Sequence, residues 1–149
     1  MTQAATGLRR EARRIAMTAI YSSDVTGYPM DEVLDLMRGL HREWQQLPEF
    51  TEQLAYTVVQ HAAEIENQVA AVLEHWKIER VAPVEKAMLK LGCAEILYYP
   101  DIPPRVTINE YIELAKRFAN ENAPSFINGI LDKLVQMQKK ADFHAARQG

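Results

Sequence analysis

Residues 84–133 read VEKAMLKLGCAEILYYPDIPPRVTINEYIELAKRFANENAPSFINGILDK, a string of three helical segments parted by two proline turns. Pro83 fits the first position of a helix, where its missing N–H removes no bond. Val84, Ala87, Met88, Leu91 and Ala94 then recur on one helix face as far as Tyr98. Pro100-Asp101-Ile102-Pro103-Pro104 cannot continue that helix. Thr107 and Glu110 stand in capping-box spacing, which predicts a helix start at that point, with Val106, Ile108, Tyr111, Ile112, Ala115 and Phe118 as its apolar contacts. Asn120-Glu121-Asn122-Ala123-Pro124 forms the second turn, and Pro124 suits the first position of a last helix reaching about Lys140. Gly129 falls inside that helix at a cost of roughly 1 kcal/mol against alanine, and close helix packing is the reason expected for it.

The same reading extends upstream. Leu8, Ala12, Ile15, Ala16, Ala19 and Ile20 share one side of a first helix, from about Leu8 to Ser23. Arg10, Arg14, Met17 and Tyr21 follow at steps of four, three and four, a second stripe expected to face away. Gly27-Tyr28-Pro29 breaks the chain before a helix from Met30 to about Trp44, with Val33, Leu34, Met37, Leu40 and Trp44 inward. Pro48 closes that connection, and a long helical pattern runs from about Thr51 to Trp76. Leu54, Val58, Ile65, Val69, Val72 and Trp76 mark its buried face, with one break expected near Ala62. Lys77 to Pro83 is a short link with room for a turn of helix. No strand pattern and no internal repeat is present. The fold class expected is all-α, one domain with helical halves at about 8–76 and 83–140 and a flexible polar tail at 141–149.

At 149 residues and 48% hydrophobic content the chain supports one packed core, or two small subdomains sharing one. No apolar run approaches the roughly 18 residues of a membrane span. The first residues lack the apolar core of a signal peptide, so a cytoplasmic setting is expected. The single cysteine, Cys93, has no internal disulfide partner, and its neighbours Leu91, Ala94 and Leu97 mark it as a core thiol. The net charge of −3 disguises a segregation. Arg9, Arg10, Arg13 and Arg14 face one acid, Glu11, at the start of the chain. Between residues 31 and 66, Asp31, Glu32, Asp35, Glu43, Glu49, Glu52, Glu64 and Glu66 outweigh Arg38 and Arg42. A polyanion is attracted to the first region and repelled by the second.

Nothing in the chain carries a catalytic signature. His41, His61, His75 and His144 are scattered, and the pair His61 and Glu64 has no second pair to complete a dinuclear site. There is no His-Glu-x-x-His, no Gly-rich phosphate loop, no cysteine pair and no nucleophile elbow. No enzyme activity, metal or cofactor is expected. Two features point to binding. The arginines of the first helix can hold phosphates through their planar donors, or can simply be a solvated face. Phe118 and Phe126 flank a turn holding Asn120, Asn122 and Ser125. That turn can stack and hydrogen-bond unpaired bases, or its rings can be core.

Arg9-Arg10-Glu11-Ala12-Arg13, Ala16 and Ala19-Ile20-Tyr21 resemble the arginine-rich first helix of the NusB family of bacterial transcription antitermination factors. Phe50-Thr51-Glu52-Gln53-Leu54 and Ile65-Glu66 are similar to its central helices more loosely. Val84-Glu85-Lys86-Ala87, Val106-Thr107-Ile108-Asn109-Glu110, Glu113-Leu114-Ala115-Lys116 and the run from Phe126 to Lys133 resemble it closely. The likeness covers the chain from Leu8 to about Leu134. It implies a bundle of about six or seven helices in two packed subdomains. It implies a factor that binds boxA RNA together with NusE, a small-subunit ribosomal protein, and helps assemble the antitermination complex on elongating RNA polymerase, in support of ribosomal RNA transcription. Arg9, Arg10, Arg13, Phe118, Asn122, Ser125 and Phe126 then fall on the RNA side, and Tyr21, Glu79 and Glu85 on the NusE side. Asn109, Glu110, Asn128 and Gly129 are read as structural.

This chain departs from the family at Thr18, where glutamine is frequent, and at Glu11, where a further cation is common. Asn122 stands where an acid occurs in the family, and an amide there avoids repulsion from phosphate. A homodimer of the free protein stays open. Two other readings also stay open: a detached RNA-recognition module of the ribosomal RNA methyltransferase type, and a helical protein–protein adaptor whose arginines are only solvated.

Overall fold

The computed structural model describes residues 3–74 and 77–148, with side chains described for residues 8–74 and 77–142. Trp76, expected on a buried face, and His75 lie outside the described residues. Seven α-helices follow one another: α1 (Gln3–Thr26), α2 (Met30–Leu40), α3 (Glu49–Gln60), α4 (Ala62–Leu73), α5 (Pro83–Tyr98), α6 (Pro104–Phe118) and α7 (Ala123–Gln148). Single 3-10 turns at Arg42–Trp44 and Ile78–Arg80 lie in the α2–α3 and α4–α5 connections. No strand occurs among the described residues, as the all-α reading expects.

Local chemistry sets the boundaries. Gly27 ends α1 at a φ of 78°, the left-handed region, with its N–H on the Ser23 carbonyl at 2.9 Å. Pro29, Pro48 and Pro103 each stand just before a helix, and Pro83 opens α5 itself. The long pattern after Thr51 breaks at His61, one residue from the expected break. The His61 ring stacks on Tyr98 with centroids 4.0 Å apart. The first helix and the last both run beyond their sequence-based limits, α7 as far as Gln148.

The helices close around α5, which packs on α1, α3, α4, α6 and α7. Every residue from Ala87 to Glu95 is buried. The periodicity predicts a single apolar face for this helix, because Lys90 and Glu95 interrupt the pattern. The structure instead buries both charges with partners: Lys90 Nζ lies 3.1 Å from Asp24 and 3.5 Å from Glu66, and Glu95 takes Arg13. One continuous core joins Ile15 of α1 to Leu134 of α7. Among the described residues no helix is long and apolar enough to cross a membrane.

Several expectations need correction. The α6 helix starts at Pro104, so Thr107 and Glu110 are interior residues and form no capping box. Their side chains bond elsewhere, Thr107 to Glu95 and Glu110 to Arg10. Met17 belongs to the core and not to an outward stripe, whereas Leu8 is exposed. Leu40, expected inward, is 78% exposed, because α2 ends there and the 3-10 turn swings Trp44 into the core in its place. Val106 is exposed in the first turn of α6. Gly129 does not serve close packing, since a Cβ added there meets nothing within 4 Å. Gly92 does: a Cβ there would lie 2.7 Å from Leu131 Cδ2, so α5 and α7 approach only because that position has no side chain.

Candidate nucleic-acid interface

The four arginines of α1 separate into two rows, because residues four apart share a helix face. Arg9 and Arg13 turn towards α3, with their guanidinium carbons 4.8 and 5.4 Å from the Phe50 ring centroid. Phe50 in turn meets Tyr99 edge-on at 5.8 Å. Arg10 and Arg14 turn towards α6.

Arg13, expected on the RNA face, is 2% exposed. Its Nε donates to Glu95 Oε2 at 2.9 Å and its Nη2 to Oε1 at 2.8 Å. Thr107 Oγ1 donates to Glu95 Oε1 at 3.1 Å, and the Tyr111 hydroxyl to Oε2 at 2.6 Å. Burial pulls the Arg13 guanidinium down, yet its bonds to Glu95 hold it above its ordinary value. Burial, with the Glu95 charge next in weight, lifts the Tyr111 hydroxyl well above its usual range. A buried pair of this kind costs about 3–5 kcal/mol to break from one side. Arg13 therefore fixes α1 against α5 and α6, and its guanidinium is buried rather than presented on the surface where an RNA contact is expected.

Its neighbours are accessible. Arg10 keeps 62% of its side chain exposed while its Nε donates to both oxygens of Glu110 at 3.0 Å. Arg14 donates its Nε to Glu11 at 3.0 Å, and its guanidinium carbon lies 5.5 Å from the Trp44 ring centroid. The bond from Arg14 lowers the Glu11 carboxyl, with burial opposing. Arg9 is half-buried against Phe50.

The two phenylalanines divide their roles. Phe118 closes α6 as an exposed residue, 42% accessible, with the Arg117 guanidinium carbon 5.1 Å from its ring centroid. Phe126 is half-buried against the core. Asn122 and Ser125 are exposed beside it. Asn120 Oδ1 accepts the Asn122 N–H at 3.1 Å, and the Phe126 N–H reaches the Asn122 carbonyl at 3.3 Å. That side-chain turn is why the loop stays short and presents its amides outward.

Tyr21 and Glu79 are exposed, on α1 and on the second 3-10 turn. Glu85, in the first turn of α5, is half-buried, and burial raises its carboxyl. It forms no ion pair among the described residues, although Arg80 lines the same cleft. That cleft, about 350 Å³, is lined by Arg80, Val81, Ala82, Glu85, Asn120, Asn122 and Phe126. It brings Glu85 from the expected partner side to Asn122 and Phe126 from the expected RNA side. Tyr21 and Glu79 do not line it. Asn120 belongs to the turn that the sequence marks for base contacts, whereas Arg80 drew no site assignment. The one signal for Arg80 is its position in the short link ahead of Pro83.

A sequence model described as "NusB family" matches residues 10–136. The chain belongs to the NusB family. It is 40% identical over 141 residues to the transcription antitermination protein NusB of Desulfitobacterium hafniense (strain DSM 10664 / DCB-2), spanning 90% of this chain and 92% of that one. Its fold is similar to the solution structure of NusB from Aquifex aeolicus, with a TM-score of 0.79 and 27% identity, covering 90% of this chain and 91% of that one. It is also similar to a chain in the crystal structure of antitermination factors NusB and NusE in complex with dsRNA. There the TM-score is 0.75 and the identity 27%, over 87% of this chain and 97% of that one.

Within the NusB family, the two departures of this chain have local structural partners. Thr18 donates its hydroxyl to the Arg14 carbonyl one turn back, at 3.1 Å, so it is satisfied within its own helix. Glu11 is not a loose repulsive charge, since Arg14 and the nearby Arg117 both favour its ionised form.

Proposed function

We propose that this NusB-family chain is a cytoplasmic antitermination factor. It binds boxA-type single-stranded RNA as a heterodimer with NusE and helps assemble the antitermination complex on elongating RNA polymerase, supporting ribosomal RNA transcription. The observation that carries the reading is the cleft in which Glu85 meets Asn122 and Phe126. A partner held by Glu85 would sit within reach of RNA held by the Asn122 turn. The solved relative containing NusB, NusE and dsRNA supports the choice of partners.

Arg9 and Arg10 supply cations for phosphates, Phe118 supplies a free ring for a base, and Asn122, Ser125 and Phe126 supply edge contacts and a wall. Arg13 holds the helix that carries the first two. Tyr21, Glu79 and Glu85 meet NusE, where acids suit a basic ribosomal protein. The mechanism is assembly, with no bond made or broken. With net charge −3, the chain alone offers RNA a small basic area, and a basic partner enlarges it.

The test is fluorescence anisotropy of labelled boxA RNA against a scrambled RNA, with and without NusE, over a salt series. Sequence-dependent binding that tightens with NusE is the expected result. Equal binding of both RNAs, unaffected by NusE, would overturn the reading and leave a helical adaptor.

A further inference from the structure

We propose that the cleft between α1 and α6, lined by Arg10, Arg14, Arg117 and Leu114, is a phosphate subsite for the RNA backbone, and that Glu11 is the internal anion a phosphate displaces there. The inference rests on the RNA-binding reading above and adds to it two cations, Arg14 and Arg117, and a competitor mechanism.

The cleft is about 230 Å³ and is lined by three guanidiniums and the three carboxylates of Glu11, Glu110 and Glu113. It is therefore near neutral at rest, which hides a phosphate site in a chain of negative net charge. The carboxylates already act as phosphate surrogates. Glu110 receives the Arg10 Nε on both oxygens at 3.0 Å. Glu11 receives Arg14 on both of its oxygens and feels Arg117. Glu113 is drawn aside by Lys116 at 3.1 Å. Arg117 has no carboxylate within ion-pair distance among the described residues, so it is the cation that needs no release.

Magnitudes decide which arginines can exchange. An exposed ion pair biases its equilibrium by only roughly two- to fivefold. The pair of Arg14 with Glu11 is of that kind, with side-chain exposures of 27% and 46%, whereas the Glu110 side chain is only 11% exposed and keeps its Arg10 bond. A phosphodiester offers the same charge-assisted, two-oxygen geometry and adds the release of counterions from the RNA. Phosphate therefore wins the exchange when RNA is present. Arg13 is exempt, because neither it nor Glu95 reaches solvent.

The proposal is tested on the full chain with boxA and scrambled RNA over a potassium chloride series. Arg117→Gln orphans no carboxylate and is the primary variant. It should weaken both RNAs alike and lower the salt slope by about one. Glu11→Gln should tighten both RNAs by roughly two- to fivefold, the bias of the pair it removes. Glu11 is exposed, so its variant does not disturb the core. Unchanged affinity and slope in Arg117→Gln, with wild type binding RNA, would overturn the subsite and leave the RNA reading standing. If wild type binds no RNA, inorganic phosphate followed at the arginine Nε resonances decides. Saturable shifts at Arg14 and Arg117 that vanish in Arg117→Gln uphold the subsite, and their absence overturns it.

Discussion

Replacing Glu95 by alanine should be among the most damaging single changes in this chain. The carboxylate is fully buried and receives four hydrogen bonds, two from Arg13 and one each from Thr107 and Tyr111. Those donors come from two helices, α1 and α6, so one side chain on α5 ties three helices together. Removing it leaves a buried guanidinium without a counter-charge, which costs about 3–5 kcal/mol. The total stability of a domain is only about 5–15 kcal/mol, so about a fifth of it or more is at stake. At about 2–4 °C per kcal/mol for a chain of this size, a loss of about 4 kcal/mol lowers Tm by about 8–16 °C. Thermal and urea unfolding followed by circular dichroism read this directly. The double variant Arg13→Ala with Glu95→Ala should lose much less than the sum of the single changes, because the orphaned charge is gone. A drop of less than about 3 °C for Glu95→Ala, or additive single changes, would refute the account of Arg13 as a buried structural cation.

Three further outcomes follow from single positions. Asn122→Asp should weaken RNA binding, since the exposed side chain beside Phe126 would become an anion facing phosphate, and equal anisotropy curves at fixed salt would sink that idea. Gly92→Ala should destabilise by about 1–3 kcal/mol, because the fully buried Leu131 has nowhere to move, whereas Gly129→Ala should stabilise by about 0.5–1 kcal/mol; urea midpoints that rank the two the other way would contradict the packing described. Burial lifts the Cys93 thiol to about 12, so the thiolate is scarce below that pH and alkylation at pH 8 should require unfolding. Labelling of the folded protein at the rate of a free thiol would show that the core opens there.

Element boundaries were legible where the chain uses proline or glycine to set them. Pro83 and Tyr98 bound α5 as expected, Gly27 ends α1, and the helix pattern after Thr51 breaks one residue from Ala62. The expected errors of periodicity appear where a polar residue has a distant partner. Lys90 and Glu95 fall outside the apolar face expected for α5, yet both are buried, and their partners Asp24 and Arg13 lie 66 and 82 residues away in sequence. A local window cannot see such a pair, so it cannot tell a buried charge from a solvated one. Thr107 and Glu110 failed for the same reason. Their spacing fits a cap, but Glu95 and Arg10 claim their side chains, and Pro104 has already started the helix.

The candidate site shows the same limit from the functional side. Four arginines within six residues look equivalent in sequence, and family resemblance assigns three of them to RNA. In the fold their counterparts differ: an aromatic ring for Arg9, a nearly buried carboxylate for the exposed Arg10, an accessible one for Arg14, and a fully buried one for Arg13. What separates a binding arginine from a building one is the cost of parting it from that counterpart. For an exposed pair the cost is at most about 1 kcal/mol, within reach of one phosphate contact. For Arg13 it is about 3–5 kcal/mol, more than such a contact returns. The basic stripe thus contains its own anchor, and the orientation of Arg9 and Arg10 depends on a residue that RNA need never touch.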